Sequence, residues 1–506
     1  MVDVIVVGAG LGGLMAAVRL AGAGKKVLVL EKKILPGGTS YVFRRGGYSF
    51  PMGPLSFSFP GRVSELLAGA GIDEPIEFRR SEFAFRTPRL DVRMSRPLTD
   101  LGRDLTRRFP AEKEGIEAFV GSLSGAVAAS RDLDRWHPDF AVSPRSPAGP
   151  DPSAEGFSGR IAEVRELSER PAASVLDGLI RDEGLRNFLG SLGTKRPEMS
   201  MLNLASMWNI MAEEGIWFPS PGVHGLADLL LKRLEELGGE IRLGVPVARI
   251  IVRGGRASGV ATADGRTVES RFVVSNADAK STFLGLVDPA SVRGVDLEFV
   301  RDVPYTGSEL CVYLGLRPEK CDLAAIEADH LFWRHEIRDE GPSDLEDFRN
   351  REIEICFWSR KAPDQAPPGR ASLLLRVGFP YDHFVAWRTG EKTRRNGYRD
   401  YKAALARKLV LAAEEAVAGL SGAVELTESA TPLTYRDWGN RTDGSIAGWS
   451  WKASESARIP EKILVRTPVP GLFLAGIYAA SELFLGGVPT ALHTGNLAAE
   501  LILRGG

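Results

Sequence analysis

The sequence predicts an α/β fold that opens with a parallel strand–helix–strand unit. Three observations predict it. The run Val2-Asp3-Val4-Ile5-Val6-Val7 is short and β-branched, the composition of a buried parallel strand. The glycines that follow, Gly8, Gly10 and Gly13, have the spacing GxGxxG. Leu14 to Gly24 then reads as a helix ending at glycine, and Lys26 to Leu30 as a second strand with Glu31 at its end. A lone GxGxxG is a weak signal. The strand before it, the helix after it and the acid at the next strand end together make it a Rossmann-like dinucleotide fingerprint.

Each part of that fingerprint answers a physical need. Gly8 permits the tight turn out of the strand. Gly10 has no Cβ, so a pyrophosphate can approach the backbone, and Gly13 lets the helix lie close to the sheet. The helix N-terminus offers unpaired N–H groups and the positive end of its dipole to the phosphates. Glu31 is placed to accept hydrogen bonds from a ribose diol, and its charge would repel a 2′-phosphate. A second glycine pair, Gly37-Gly38, precedes Thr39-Ser40. It suggests backbone laid against the same pyrophosphate, although a plain turn has the same appearance.

Bulk properties bound the rest. The 506 residues exceed one hydrophobic core, so two or three folding units are expected. Net charge is −1, which argues against nucleic acid as a partner. The three cysteines, Cys311, Cys321 and Cys356, form no CxxC pair, so neither a disulfide framework nor a metal site is expected. No run is long and apolar enough for a membrane span, and no secretory leader is read at Val2–Val7. A cytoplasmic protein is expected, with peripheral membrane contact left open.

The residues after Glu31 resemble a known family. Glu31-Lys32-Lys33-Ile34-Leu35-Pro36-Gly37-Gly38-Thr39-Ser40-Tyr41-Val42-Phe43, then Gly47 to Pro54, is similar to the opening of the phytoene desaturase family. That group includes carotenoid isomerases and retinol saturases and shares its FAD-binding fold with monoamine oxidases. The resemblance continues through Gly215–Gly239, Ile241–Ile251, Gly259-Val260 and Val273-Val274-Ser275-Asn276-Ala277-Asp278. It resumes at Thr431–Tyr435, Gly444–Ser450, Gly471–Gly476 and Gly486-Gly487-Val488-Pro489-Thr490-Ala491. Glu82 to Asn203 carries little that is specific.

The resemblance implies FAD as cofactor. It extends the candidate contacts from the motif residues to Leu11, Gly12, Lys32, Gly53, Pro54, Leu55, Val247, Asn276, Ala277, Gly476, Gly487, Val488, Pro489 and Thr490. It also implies a monoamine oxidase/phytoene desaturase-type architecture. The FAD-binding domain would comprise 1–75, 215–290 and 460–506, with an interleaved α+β substrate domain of 76–214 and 291–459. The closing motif has its own logic. Leu472 to Ala475 reads as a buried strand, and Pro489 suits the first turn of a helix running from Thr490 to Leu503. In the family, such a helix presents its N-terminus to the pyrimidine edge of the flavin.

Other elements are readable in part. Phe78–Met94, Leu310–Leu316, Ile353–Trp358 and Ala371–Gly378 are β-like, and Glu114–Ala129 and Tyr398–Leu420 read as helices. His137–Pro152 reads as an irregular loop or flap. Nine arginines between Arg79 and Arg108 face four acids. The plainer reading is a solvated face, and the alternative is attraction to an anionic membrane.

No acid–base residue stands out. The six histidines are scattered. His493, in the closing helix, and Glu482, in the loop before it, are the nearest candidates to a flavin, though packing and solvation explain both. Trp208, Trp217, Trp438, Trp449 and Trp451 would line an apolar tunnel or simply fill core.

Three positions depart from the family pattern. Thr39 stands where arginine is frequent, Pro51 where an acid is frequent, and Ser481–Leu485 replaces a Pro-Gly-rich stretch. The expected function is FAD-dependent redox chemistry on a hydrophobic isoprenoid or polyene of the carotenoid or retinoid kind: desaturation, saturation or isomerisation, with quinone or oxygen as acceptor. The alternatives are an FAD-dependent amine oxidase and a non-catalytic flavin-binding or lipid-carrier subunit.

Overall fold

The computed structural model describes residues 2–136, 157–190, 197–220, 222–292, 297–335, 344–458, 465–479 and 487–505. The sequence-predicted loop at His137–Pro152 and the Ser481–Leu485 segment with Glu482 lie outside them.

Strand Val2–Val7 is central to the first sheet, parallel to Val27–Glu31 on one side and Thr267–Ser275 on the other. The sheet continues to Glu240–Leu243 at one edge and to Arg256–Thr262 and Val247–Arg253 at the other, and Leu472–Leu474 pairs parallel with Thr267–Ser275. Val4, Ile5 and Val6 are fully buried, as strands covered on both faces require. Helices Leu11–Gly22, Val223–Glu236 and Gly487–Leu503 join the same core. Helix Leu11–Gly22 begins three residues before the predicted start. Gly10 serves as its extended N-cap, so the second half of the glycine motif is already helical.

The second sheet runs in the order Val424–Ala430, Glu309–Leu316, Ala371–Gly378, Ile353–Cys356, His330–Trp333, Phe83–Arg86, Asp91–Arg93. It is antiparallel except where His330–Trp333 pairs with Phe83–Arg86. Every residue of Glu309–Leu316 is buried, so both faces are covered. Leu310, Val312 and Leu314 point into a core shared with Leu405 and Leu409 of helix Tyr398–Ala413. Cys311 and Tyr313 point to the other face, against Tyr48, Phe50 and Met52. A helical layer closes the far end. There Trp208 is fully buried, donates to the Leu189 carbonyl at 2.9 Å and lies edge-on to Phe188.

Several predicted elements are cut shorter by local chemistry. The helix from Tyr398 stops at Ala413, and Gly419, with φ +78°, turns the chain into the short helix Leu420–Ala423. The strand from Ile353 stops at Cys356, and Trp358 turns away to donate its indole N–H to the Ser49 carbonyl at 3.1 Å. Phe78–Met94 folds as three strands, Phe78–Arg80, Phe83–Arg86 and Asp91–Arg93. Among the described residues no helix is long and apolar enough to cross a membrane.

Candidate cofactor and substrate site

Four segments meet at the glycine turn. Gly8 has φ +95°, and its N–H donates to the Leu30 carbonyl at 2.8 Å. Gly37 donates to the Ala9 carbonyl at 2.7 Å and bridges Gly10. A Cβ on Gly38 would stand 3.1 Å from Gly10 Cα, so the second glycine pair lies directly on the first turn. Ser40 N–H closes that loop onto the Gly37 carbonyl, and a Cβ on Gly53 would stand 2.5 Å from the Thr39 carbonyl oxygen. Pro54 and Leu55 follow. From the far side, a Cβ on Gly12 would stand 2.7 Å from Gly476 N and 2.9 Å from Ala491 O. Thr494 ties Gly476 to the closing helix, accepting from its N–H and donating to its carbonyl oxygen, each at 3.0 Å.

Asn276 completes the turn. Its N–H donates to Val7 O at 2.9 Å, and its amide nitrogen would lie 2.5 Å from a Cβ on Gly10. Ala277 follows it, half-buried. Gly487, Val488, Pro489 and Thr490 form the first turn of helix Gly487–Leu503, where the backbone amides lack intrahelical acceptors.

Glu31 is buried and spans the turn: Oε2 accepts from Ala9 N–H at 2.7 Å and Oε1 from Lys33 N–H at 2.9 Å. An ionised carboxylate has about four acceptor positions, so each oxygen keeps capacity for a ribose hydroxyl. Val245 N–H donates to the Glu31 carbonyl, which brings Val247 close to the same strand end. Lys32 is turned aside, its ammonium 3.1 Å from Glu391. Burial pushes Lys33 down to about 8, against the opposing pull of Glu31.

The residues present fit FAD. The backbone at Gly10 and Gly12 leaves no room for side chains, two helix N-termini supply amides, and an acid stands at the end of the second strand, where it could accept from a ribose.

Sequence reading missed a charged row on the second sheet. Alternation of side chains places Glu309, Arg376, Glu354 and His330 on one face of four neighbouring strands. Arg376 lies 2.9 Å from Glu309 and 2.9 Å from Glu354, His330 Nδ1 is 2.7 Å from Glu354, and Tyr435 donates to Glu309 at 2.7 Å. Burial pushes the Glu354 carboxyl up, but Arg376 and His330 outweigh it and hold it down at about 2. Burial opposes the charge on His330, yet Cys356 and Glu354 hold its imidazole up at about 10. His330 stacks on Phe83 with ring centroids 4.5 Å apart and lines a crevice with Leu55, Phe218 and Trp358.

Other expectations fare differently. Of the five tryptophans, Trp208 is core, as the plainer reading has it, while Trp438 is 49% exposed beneath Lys392. His493 faces Arg62, 3.5 Å away, and its burial depresses its pKa. The arginine-rich stretch is largely partnered: Arg86 with Asp91, Arg93 with Glu327, and Arg96 and Arg107 with Asp104. Cys311 and Cys356 are buried on the inner sheet face, and Cys321 is half-buried.

A glycine-cradled dinucleotide site joined to a second, sheet-based unit defines an FAD-dependent oxidoreductase. The chain belongs to the flavin containing amine oxidoreductase family, whose model matches residues 11–503. It is 28% identical over 459 residues to the chloroplastic prolycopene isomerase of Daucus carota, covering 88% of this chain and 71% of that protein. It is 26% identical to the all-trans-retinol 13,14-reductase of Danio rerio, covering 98% and 85%. Other curated relatives are named as phytoene and hydroxyneurosporene desaturases. Among solved structures, an oxidoreductase from Methanosarcina mazei shares the fold with a TM-score of 0.64 at 17% identity, covering 99% of this chain and all of that one.

Proposed function

We propose that this enzyme acts on a polyene isoprenoid of the carotenoid or retinoid kind, by desaturation, saturation or isomerisation. The observation that carries this reading is the chain's likeness to proteins named as a prolycopene isomerase, a retinol reductase and phytoene desaturases. The packed apolar cluster of Tyr48, Phe50, Met52, Leu55, Phe218 and Trp358 beside the Gly53-Pro54-Leu55 loop supplies surroundings compatible with a hydrocarbon.

Bound FAD supplies hydride acceptance or return. The chain's part is to orient the polyene and exclude water. Gly8, Gly10, Leu11, Gly12, Gly13, Glu31, Gly37, Gly38, Thr39 and Ser40 are proposed to hold the nucleotide half of the cofactor. Asn276, Gly476 and the first turn of the closing helix are proposed to hold the flavin half. The corresponding division is 1–75, 215–290 and 460–506 for the cofactor unit, with 76–214 and 291–459 for the substrate. A substrate of this kind partitions into bilayers, so we propose uptake at a membrane surface by a cytoplasmic protein, with quinone or oxygen as electron acceptor. Exposed Ile34, Leu35 and Trp438 are apolar groups available to such a surface.

Anaerobic mixing of the holoenzyme with polyenes in liposomes tests the reading, by flavin absorbance and product chromatography. Bleaching with a more unsaturated product identifies a desaturase. Product only after prior reduction of the flavin identifies a saturase or isomerase. Silence in both states, with bleaching by amines, overturns the polyene reading in favour of amine oxidation, the reaction in the family's description.

A further inference from the structure

One arginine reaches the cofactor cradle from the other half of the molecule. Arg441 lies in the turn after helix Pro432–Asp437, outside the segments that build the first sheet. Its Nη2 donates to Thr39 Oγ1 at 2.9 Å, and its Nη1 donates to the carbonyl oxygens of Ile446 at 3.1 Å and Ser445 at 3.5 Å. Its charge also acts on Tyr478, two residues beyond Gly476, whose hydroxyl donates to Ser445 at 3.0 Å. Its guanidinium thus stands between two loops that both touch the glycine turn, one through Gly38 on Gly10 and the other through Gly476 against Gly12.

Those partners are all neutral. Some half-buried arginines here are charge-matched, Arg376 by Glu309 and Glu354 and Arg388 and Arg394 by Asp437. Arg79, Arg80 and Arg351 donate to backbone carbonyls, as Arg441 does, but Arg441 stands beside the glycine turn. Arg441 is half-buried, and among the described residues no ion pair joins it to a carboxylate. A cation withdrawn from water without a counter-charge is costly, and the cost is recovered when an anion arrives. Its planar fork suits bidentate recognition of phosphate oxygens. Lys33, whose ammonium stands 5.5 Å from the Tyr41 ring centroid and 3.5 Å from the Gly38 carbonyl oxygen, adds a second cation to the same loop.

We propose that Arg441 is a cofactor-anchoring residue whose guanidinium takes the pyrophosphate of FAD, delivered to the dinucleotide site from the substrate-binding half. Loading of the cofactor then fastens the two halves together. Thr39 acts as a positioning residue, its hydroxyl holding the fork toward the Gly37–Ser40 loop. The inference rests on FAD as the cofactor, which the flavin absorbance of the wild-type holoenzyme checks separately.

The test is FAD release from the diluted holoenzyme, followed by the recovery of flavin fluorescence, alongside the reduction potential of the flavin that stays bound. Arg441→Gln is expected to weaken FAD retention roughly ten- to a hundredfold, the size of a lost charge-assisted pair. The potential and absorbance of the bound fraction should stay as in wild type. Arg441→Lys should recover part of the loss, and Thr39→Val should reproduce a smaller loss of about a few fold. Retention unchanged in all three variants overturns the proposal. So does unchanged retention with a shifted potential, which would place the charge at the flavin ring. If Arg441→Gln does not fold, Arg441→Lys and Thr39→Val decide the matter alone.

Discussion

Gly495 lies against Gly12: a Cβ on Gly495 would overlap the carbonyl oxygen of Gly12, and no side chain can be placed between them. The N-terminal turn of the helix after the glycine motif therefore touches the closing helix backbone to backbone, at Ala491 and Gly495. Gly495→Ala is expected to separate them, with a loss of roughly 1–3 kcal/mol in unfolding free energy. Flavin content per chain should fall with it. Thermal unfolding of the holoenzyme and the absorbance ratio of the purified variant check this, and a variant with normal melting and full flavin content would refute it.

Gly10 and Gly13 should separate cofactor binding from folding. An added Cβ at Gly10 meets the movable amide of Asn276, whereas one at Gly13 would overlap the Gly8 carbonyl oxygen, which is fixed backbone. Gly10→Ala is therefore expected to fold with little change in urea midpoint yet bind FAD poorly. Gly13→Ala should lose stability first. Urea titration with flavin release measured on the same samples distinguishes the two.

The charged row on the second sheet predicts a strong asymmetry. Arg376→Met strips the buried Glu309 and the half-buried Glu354 of their shared partner. A loss of about 3–5 kcal/mol is expected. Replacing both acids by glutamine in the same chain should restore much of it, because a buried pair is more costly to break than to remove whole. Equal unfolding midpoints for the single and triple variants would contradict this account.

Glu352 sets a pH dependence of stability. Burial pushes its carboxyl up to about 7, with Arg334, 3.8 Å away, opposing. A raised carboxyl contributes stability that is complete below the unfolded value of 4.5 and is lost as pH rises through about 7. Glu352→Gln, which stays neutral, should match wild type below pH 4.5 and exceed it above pH 7, by on the order of 3 kcal/mol. Denaturant unfolding at several pH values measures the difference, and parallel profiles for the two proteins would count against it.

Much of the glycine turn was legible because its chemistry is local. Gly8, Gly10 and Gly13 must be glycine for reasons that hold within a few residues, and the strand before and helix after them are periodic. Asn276 and the closing helix were reached through resemblance, since nothing in their own spacing points to a turn hundreds of residues away. The rest was hidden by topology. Glu309, His330, Glu354 and Arg376 share a face only because four strands pair in one order, and each alone reads as an ordinary strand charge. Arg441 meets Thr39 across 402 residues. The tryptophans stayed open between core and lining because aromatic composition alone does not distinguish the two, and Trp208 and Trp438 stand at opposite extremes of exposure.

The meeting of Gly12 with Gly495 also constrains how the protein is made. About 480 residues of translation separate the two. At roughly 5–20 residues per second, the first helix waits about half a minute or more on the ribosome before its partner emerges. Throughout that interval the face of the first helix that meets the closing helix lacks its cover. The nascent chain is therefore a natural client for chaperones that shield apolar surface.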